Sequence, residues 1–198
     1  MHDTKKLQVK DLVNIGIFSA LYMVVSMIVM IPAGFSPLLW LLWPAMAGLV
    51  CGVFFTLLMV KAAKPGTALL LCVITGILYF ATGECTWVVV VTCLIGGLLA
   101  EGMRRVFGCQ SFKGIALAGG FAAVGLIGSP LPMWLFQEAY MESIVKMGMA
   151  EDYVASLQAM VSVWTLLLMI AAAFAGGVLG TLVGRKMMKK HFEKAGIV

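Results

Sequence analysis

The run from Asp11 to Ile31, DLVNIGIFSALYMVVSMIVMI, constrains this chain more than any other stretch. Beyond Asp11 it holds no ionisable side chain except that of Tyr22. A helix of about 20 residues, rising about 1.5 Å per residue, matches the hydrocarbon thickness of a bilayer. The run therefore reads as a membrane-spanning helix. Within it Gly16 and Ala20 stand four apart with Ser19 beside them, which puts a stripe of small side chains on one helical face where another backbone can approach.

The rest of the chain agrees with that solvent. Hydrophobic residues make up 62% of the 198 and charged residues only 12%, too little charge to cover the surface of a water-soluble domain. The expected fold is an all-α integral membrane protein, a compact bundle of six helices forming a single membrane domain over residues 1–198. The spans are expected near 12–31, 37–60, 67–82, 85–103, 112–132 and 159–184. Ser36-Pro37 starts the second, with Pro44 inside it as a place to loosen or kink. A turn at Thr82-Gly83-Glu84 makes the third and fourth antiparallel neighbours, and Pro130 and Pro132 interrupt the fifth. The segment 133–158 departs from the pattern. Glu138, Glu142 and Lys146 recur every four residues with Met141, Ile144 and Val145 between them, the signature of an amphipathic surface helix. The first apolar run is too long for the core of a secretory signal peptide and is expected to stay attached.

Basic residues orient the bundle. Of the 14 Lys and Arg, 13 fall in the head, in the connections after the second and fourth spans, and in the tail; only Lys146 lies on the other side. The positive-inside rule then places both termini in the cytoplasm of a prokaryotic cell and segment 133–158 outside. The same placement accounts for the net charge of +5 without nucleic acid. The five cysteines are odd in number and form no C-x-x-C pair, so they read as small packing residues.

Catalytic chemistry is poorly served. The two histidines, His2 and His191, sit in the polar tails, and there is no G-x-x-x-x-G-K-[ST] loop for nucleotide. No metal site, cofactor or enzymatic activity is expected. The acids crowd the two rims, Glu84 at the outer one and Glu101 near Arg104 and Arg105 at the inner one, leaving no charged group at mid-membrane to couple an ion. The outer half is richer. Trp40, Trp43, Trp87, Trp134, Trp164, Tyr79 and Tyr140 map there, with Ser129, Gln137, Glu138 and Gln158 at a similar level. An interfacial aromatic belt and a small-molecule pocket both fit that distribution.

Six spans, cytoplasmic ends and an outward aromatic cluster together resemble the substrate-binding S components of energy-coupling factor (ECF) transporters. The opening, Lys10-Asp11-Leu12-Val13-Asn14-Ile15-Gly16-Ile17-Phe18-Ser19-Ala20-Leu21-Tyr22, is similar to that of the Trep_Strep or MptD-like branch. The resemblance implies capture of a vitamin-like micronutrient outside the cell, with a T subunit and two ATPases driving uptake. It implies contact between the T subunit and small residues of the first helix, here Gly16 and Ala20 where the family pattern has A-x-x-x-A. It implies a gate at Pro32, Gly34 and Phe35. It also implies a substrate pocket, for which Glu84, Thr86, Trp87, Trp134, Gln137, Gln158 and Trp164 are the candidates. A stand-alone facilitator or ion-coupled transporter and a non-transporting membrane scaffold are the alternatives.

Overall fold

The computed structural model describes residues 6–83 and 85–194, apart from the side chains of 190–194. Every regular element among them is helical. The chain runs through α1 (Val9–Met30), a 3₁₀ turn (Ile31–Phe35), α2 (Pro37–Lys61), α3 (Thr67–Ala81), α4 (Val88–Phe107) and α5 (Phe112–Gly125). A second 3₁₀ turn (Leu126–Gly128) leads to three short helices, α6 (Pro132–Leu135), α7 (Gln137–Lys146) and α8 (Glu151–Ala159), and to the long α9 (Val163–Lys194). Three segments are long and apolar enough to cross a membrane: Val9–Phe35, Pro37–Lys61 and Val163–Lys189. Thr67–Ala81 and Phe112–Gly128 are shorter apolar helices. Large apolar side chains such as Ile17, Ile95, Leu98 and Leu168 point away from the bundle, as a lipid solvent permits.

Small residues let α2 and α9 pack as the most extensive helix pair. A Cβ built on Gly52 would stand 2.6 Å from the carbonyl carbon of Gly180 and 2.8 Å from the nitrogen of Thr181, so the backbones meet without intervening side chains. Within α2 the Thr56 hydroxyl donates to the Gly52 carbonyl at 2.7 Å, and across the contact it lies 3.4 Å from the carbonyl of Thr181. The ladder Ala172, Gly176, Gly180, Gly184 is thus the seam of α9, three of its glycines fully buried.

α1 lies on α2 and α3 along Asp11, Ile15, Ser19, Tyr22 and Ser26, one helical stripe at intervals of three and four. Its polar members are satisfied locally and across the seam. Ser19 donates to the Ile15 carbonyl at 2.8 Å, Ser26 pairs with the Tyr79 hydroxyl, and the Trp43 indole donates to the Ser26 carbonyl at 3.0 Å.

At the end carrying the basic connections, charged groups clamp the segments. Asp11 accepts from the backbone of Gln8 at 2.8 Å, an N-terminal cap for α1, and from Lys64 at 2.7 Å. Arg104, fully buried, donates to the Lys64 carbonyl at 3.2 Å, to Glu101 at 3.3 Å and to the Cys109 carbonyl at 3.4 Å. Glu101 in turn accepts from the backbone of Ala68 at 3.2 Å.

The boundaries differ from the sequence expectation where side chains intervene. α2 runs continuously through Pro44, which offers no N–H to the carbonyl of Trp40. α5 tightens at Gly125, before the prolines, because the Thr92 hydroxyl takes the Gly125 carbonyl at 2.7 Å. The amphipathic segment 133–158 is three helices, broken at Phe136 with ψ near 53° and at Gly148 with a left-handed φ of 94°. α9 begins at Val163 rather than 159. Ser162 and Thr165 form a reciprocal cap, the nitrogen of each donating to the hydroxyl of the other at 3.1 and 3.2 Å. Its helix also continues past Gly184 to Lys194.

Candidate functional site

The end opposite the basic clamp encloses a cavity of about 370 Å³. That volume lies toward the small end of the range of about 300–1,000 Å³ usual for small-molecule sites. Its wall is assembled from distant parts of the chain. Met30 closes α1, Trp40 sits on the first turn of α2, and Gly83, Cys85 and Thr86 come from the α3–α4 connection. Ser129 comes from the break after α5, and Tyr140, Ser143, Ile144, Met147 and Met149 from α7 and its exit.

Local sequence explains the shape. Thr92 holds the Gly125 carbonyl, so α5 stops short of the bundle's end and the chain turns across it through Ser129-Pro130-Leu131-Pro132. α7 then lies over the opening. Its positions 140, 143, 144 and 147 form one stripe at intervals of three and one, the face turned to the cavity. Beneath α7 and α8 a second apolar core joins Leu41, Ile127, Met133, Met141, Val154, Leu157 and Met169. The Tyr153 hydroxyl of α8 donates to the Ala33 carbonyl at 2.7 Å, tying the outer helices to the 3₁₀ turn after α1. Partial burial raises the Tyr153 phenol above its ordinary range, keeping that donor protonated at neutral pH.

The polar side chains on the wall are few, an indole, a thiol and hydroxyls that both donate and accept. The Trp40 indole nitrogen is buried and has no hydrogen-bond partner, while its ring stacks on Trp43 with centroids 6.4 Å apart. The Tyr140 hydroxyl is the neighbouring polar group: the indole draws its ionisation down, but burial pushes it up more strongly, so it stays a neutral donor. Cys85 donates weakly to the Ser129 hydroxyl at 3.5 Å, and Ser143 donates to the Tyr140 carbonyl at 2.7 Å. The arrangement can hold a small molecule by shape, apolar contact and a few hydrogen bonds.

Of the seven pocket candidates named from sequence, Thr86 lies in this wall. Glu84 lies outside the described residues. Trp87, 56% exposed, packs on Phe136 with centroids 6.4 Å apart, outside the wall. The Trp134 indole is turned away to the Ser162 carbonyl at 2.9 Å, and Gln137, at the start of α7, precedes the cavity-facing stripe. Gln158 is exposed on α8, and Trp164, 77% exposed, faces out from the first turn of α9 at the level expected of an interfacial belt. The gate candidates Pro32, Gly34 and Phe35 are all exposed on the 3₁₀ turn, whose buried residue is Ala33.

The partner candidates sit on the free side of α1. A Cβ added to Gly16 would meet nothing within 4 Å, and Ala20 is exposed. Gly16 and Ala20 are therefore not used to pack this chain on itself, whereas their neighbour Ser19 is buried in the seam.

Trp40 and Tyr140 were legible only as members of an outer aromatic group. Their convergence needed the fold of α7 back over α2, although the 140, 143, 144, 147 spacing was a signal for a face.

A family model described as "Hypothetical bacterial integral membrane protein (Trep_Strep)" matches residues 9–194. No curated protein and no solved structure matches the chain.

Proposed function

The chain belongs to the Trep_Strep family of bacterial integral membrane proteins, and we propose that it is the substrate-binding S component of an ECF-type importer. In this reading α1, α2, α3, α4, α5 and α9 are six spans with both termini in the cytoplasm. The protein catalyses no reaction; it captures a small, vitamin-like organic nutrient outside and relies on a T subunit and two ATPases to move it.

The observation that carries the reading is the partly open cavity of about 370 Å³ at the end away from the basic connections. A mostly apolar lining with a few polar groups, at that volume, fits a site for a small molecule. Three further features support it. The unpacked small face at Gly16 and Ala20 suits a helix of another subunit. Glu101 and Arg104 pair with each other at the basic rim, leaving them committed to structure rather than to ion coupling. The 3₁₀ turn beside Met30 borders the cavity, with Pro32, Gly34 and Phe35 exposed and Ala33 tied to Tyr153, which suits a gate.

The test is native mass spectrometry of the protein purified gently from its producing cells. The expected spectrum shows a retained small molecule together with the T and ATPase subunits. Substrate uptake by cells lacking the ATPases would overturn the reading in favour of a stand-alone transporter.

A further inference from the structure

The basic end carries a surface that neither the clamp nor the cavity uses. α9 reaches it with one exposed stripe, Leu168, Ala175, Leu179, Leu182, Lys186 and Lys189, spaced by three, four or seven residues along a single helical face. Apolar side chains are thus followed by cations, the order in which a lipid leaflet presents acyl chain and headgroup. Beside the stripe the Arg185 guanidinium sits over the ring of Phe112, the first residue of α5, 4.3 Å from its centroid. At that distance the ring face attracts a cation and holds it at the α5–α9 seam. A planar fork of N–H donors so placed suits two phosphate oxygens at once. Lys113, next after Phe112, is exposed at the same end.

Charge at this corner is one-sided. Residues 185–194 hold five Lys and Arg against one acid, Glu193, and Lys113 adds a sixth cation. The side chain of Glu193 lies outside the described residues, yet one carboxylate neutralises only one of the six. The cations of the clamp are differently placed, since Lys64 and Arg104 are bound to Asp11 and Glu101. We propose that the α5–α9 corner binds the phosphate headgroup of an anionic phospholipid, with an acyl chain along Leu179 and Leu182. Arg185, steadied by Phe112, and Lys113 take the headgroup, and Lys186 and Lys189 supply the surrounding field. The site stands apart from the cavity, so its failure leaves the importer reading as it was.

The test places the full-length protein in nanodiscs holding equal amounts of phosphatidylglycerol and phosphatidylcholine with the same acyl chains, and native mass spectrometry reads which lipid stays bound. Phosphatidylglycerol should be retained over phosphatidylcholine by about tenfold or more, because each cation near the headgroup contributes about a factor of five. Arg185→Gln and Lys113→Gln should each lower that ratio about fivefold. Phe112→Leu keeps every charge and releases the guanidinium, so it should lower the ratio about threefold. Lys61→Gln is the control: Lys61 is also an exposed cation at this end, 6.0 Å from the ring of Phe18, and its loss should leave the ratio unchanged. The helix signal checks that each variant folds. A ratio near one in the unaltered protein overturns the proposal. An equal fall in Lys61→Gln and Arg185→Gln overturns the α5–α9 corner in favour of diffuse charge at the rim. Displacement of the lipid by millimolar inorganic phosphate overturns a lipid as the occupant and assigns the corner to a free anion.

Discussion

Replacing glycine by alanine at two positions in different surroundings tests how the bundle is built. At Gly52 the new Cβ would press on the Gly180 and Thr181 backbone at 2.6–2.8 Å, well inside ordinary contact, and no flexible side chain is there to yield. α2 and α9 must part by several tenths of an ångström, stretching the Thr56 contact to the Thr181 carbonyl, now 3.4 Å. Overpacking of this kind costs about 1–3 kcal/mol, and a backbone obstacle puts it at about 2–3. Alanine returns about 0.5–1 kcal/mol of helix propensity, so Gly52→Ala should lose about 1–2.5 kcal/mol. At Gly16 nothing lies within 4 Å, and Gly16→Ala should gain only the propensity, about 0.5–1 kcal/mol. The propensity gain is common to both, so the gap of about 2–3 kcal/mol between the variants is the steric cost alone. Reversible unfolding in mixed detergent micelles, followed by helix signal, measures it. Equal stability of the two variants would refute the close α2–α9 contact and the open face of α1 together.

The other expectations concern the two ends and the partner face. Arg104→Met strands the buried Glu101 carboxylate and should cost about 3–5 kcal/mol in the same unfolding assay; adding Glu101→Gln should restore part of that, and strict additivity would deny the coupling. Tyr153→Phe removes the bond to Ala33, so amide exchange at 31–36 should quicken about tenfold while the rates in α4 hold; unchanged exchange would mean the bond does not fasten the turn. Gly16→Leu and Ala20→Leu should not destabilise the bundle in the unfolding assay, and on the proposed function they should abolish co-purification with the T subunit; retained association would move the interface elsewhere. In single-cysteine variants of intact cells, a membrane-impermeant maleimide should label Cys85 and spare Cys109, both half-buried at opposite ends; the reverse pattern would invert the proposed orientation.

Helix positions were legible wherever burial follows simple periodicity. α2 and α3 fall within a residue of expectation because Ser36-Pro37 and Pro65-Gly66 mark their starts and the surrounding runs are wholly apolar. Ala172, Gly176, Gly180 and Gly184 of α9 recur every four residues, a spacing that puts small side chains on one helical face where another backbone can approach. Residues 126–162 were harder. There the breaks arise from Thr92 acting on Gly125, from Phe136 and from the Ser162–Thr165 cap, two of which depend on single side-chain hydrogen bonds rather than on pattern. The site suffered for the same reason. Trp87, Trp134 and Trp164 belong to the same expected outer aromatic group as Trp40, but rotation about each helix axis decides which ring meets the cavity, and sequence alone does not settle that rotation across helices of different crossing angle.

The charged clamp has a mechanical consequence. At one end the head of α1, the α2–α3 connection, α4 and the α4–α5 turn are cross-braced through Asp11, Lys64, Glu101 and Arg104. At the other end, single neutral bonds such as that from Tyr153 to Ala33 do the fastening. A bundle so built is braced most firmly at the basic end and least firmly around the cavity. A molecule held there, as proposed above, would join the loosely fastened parts and stiffen that end.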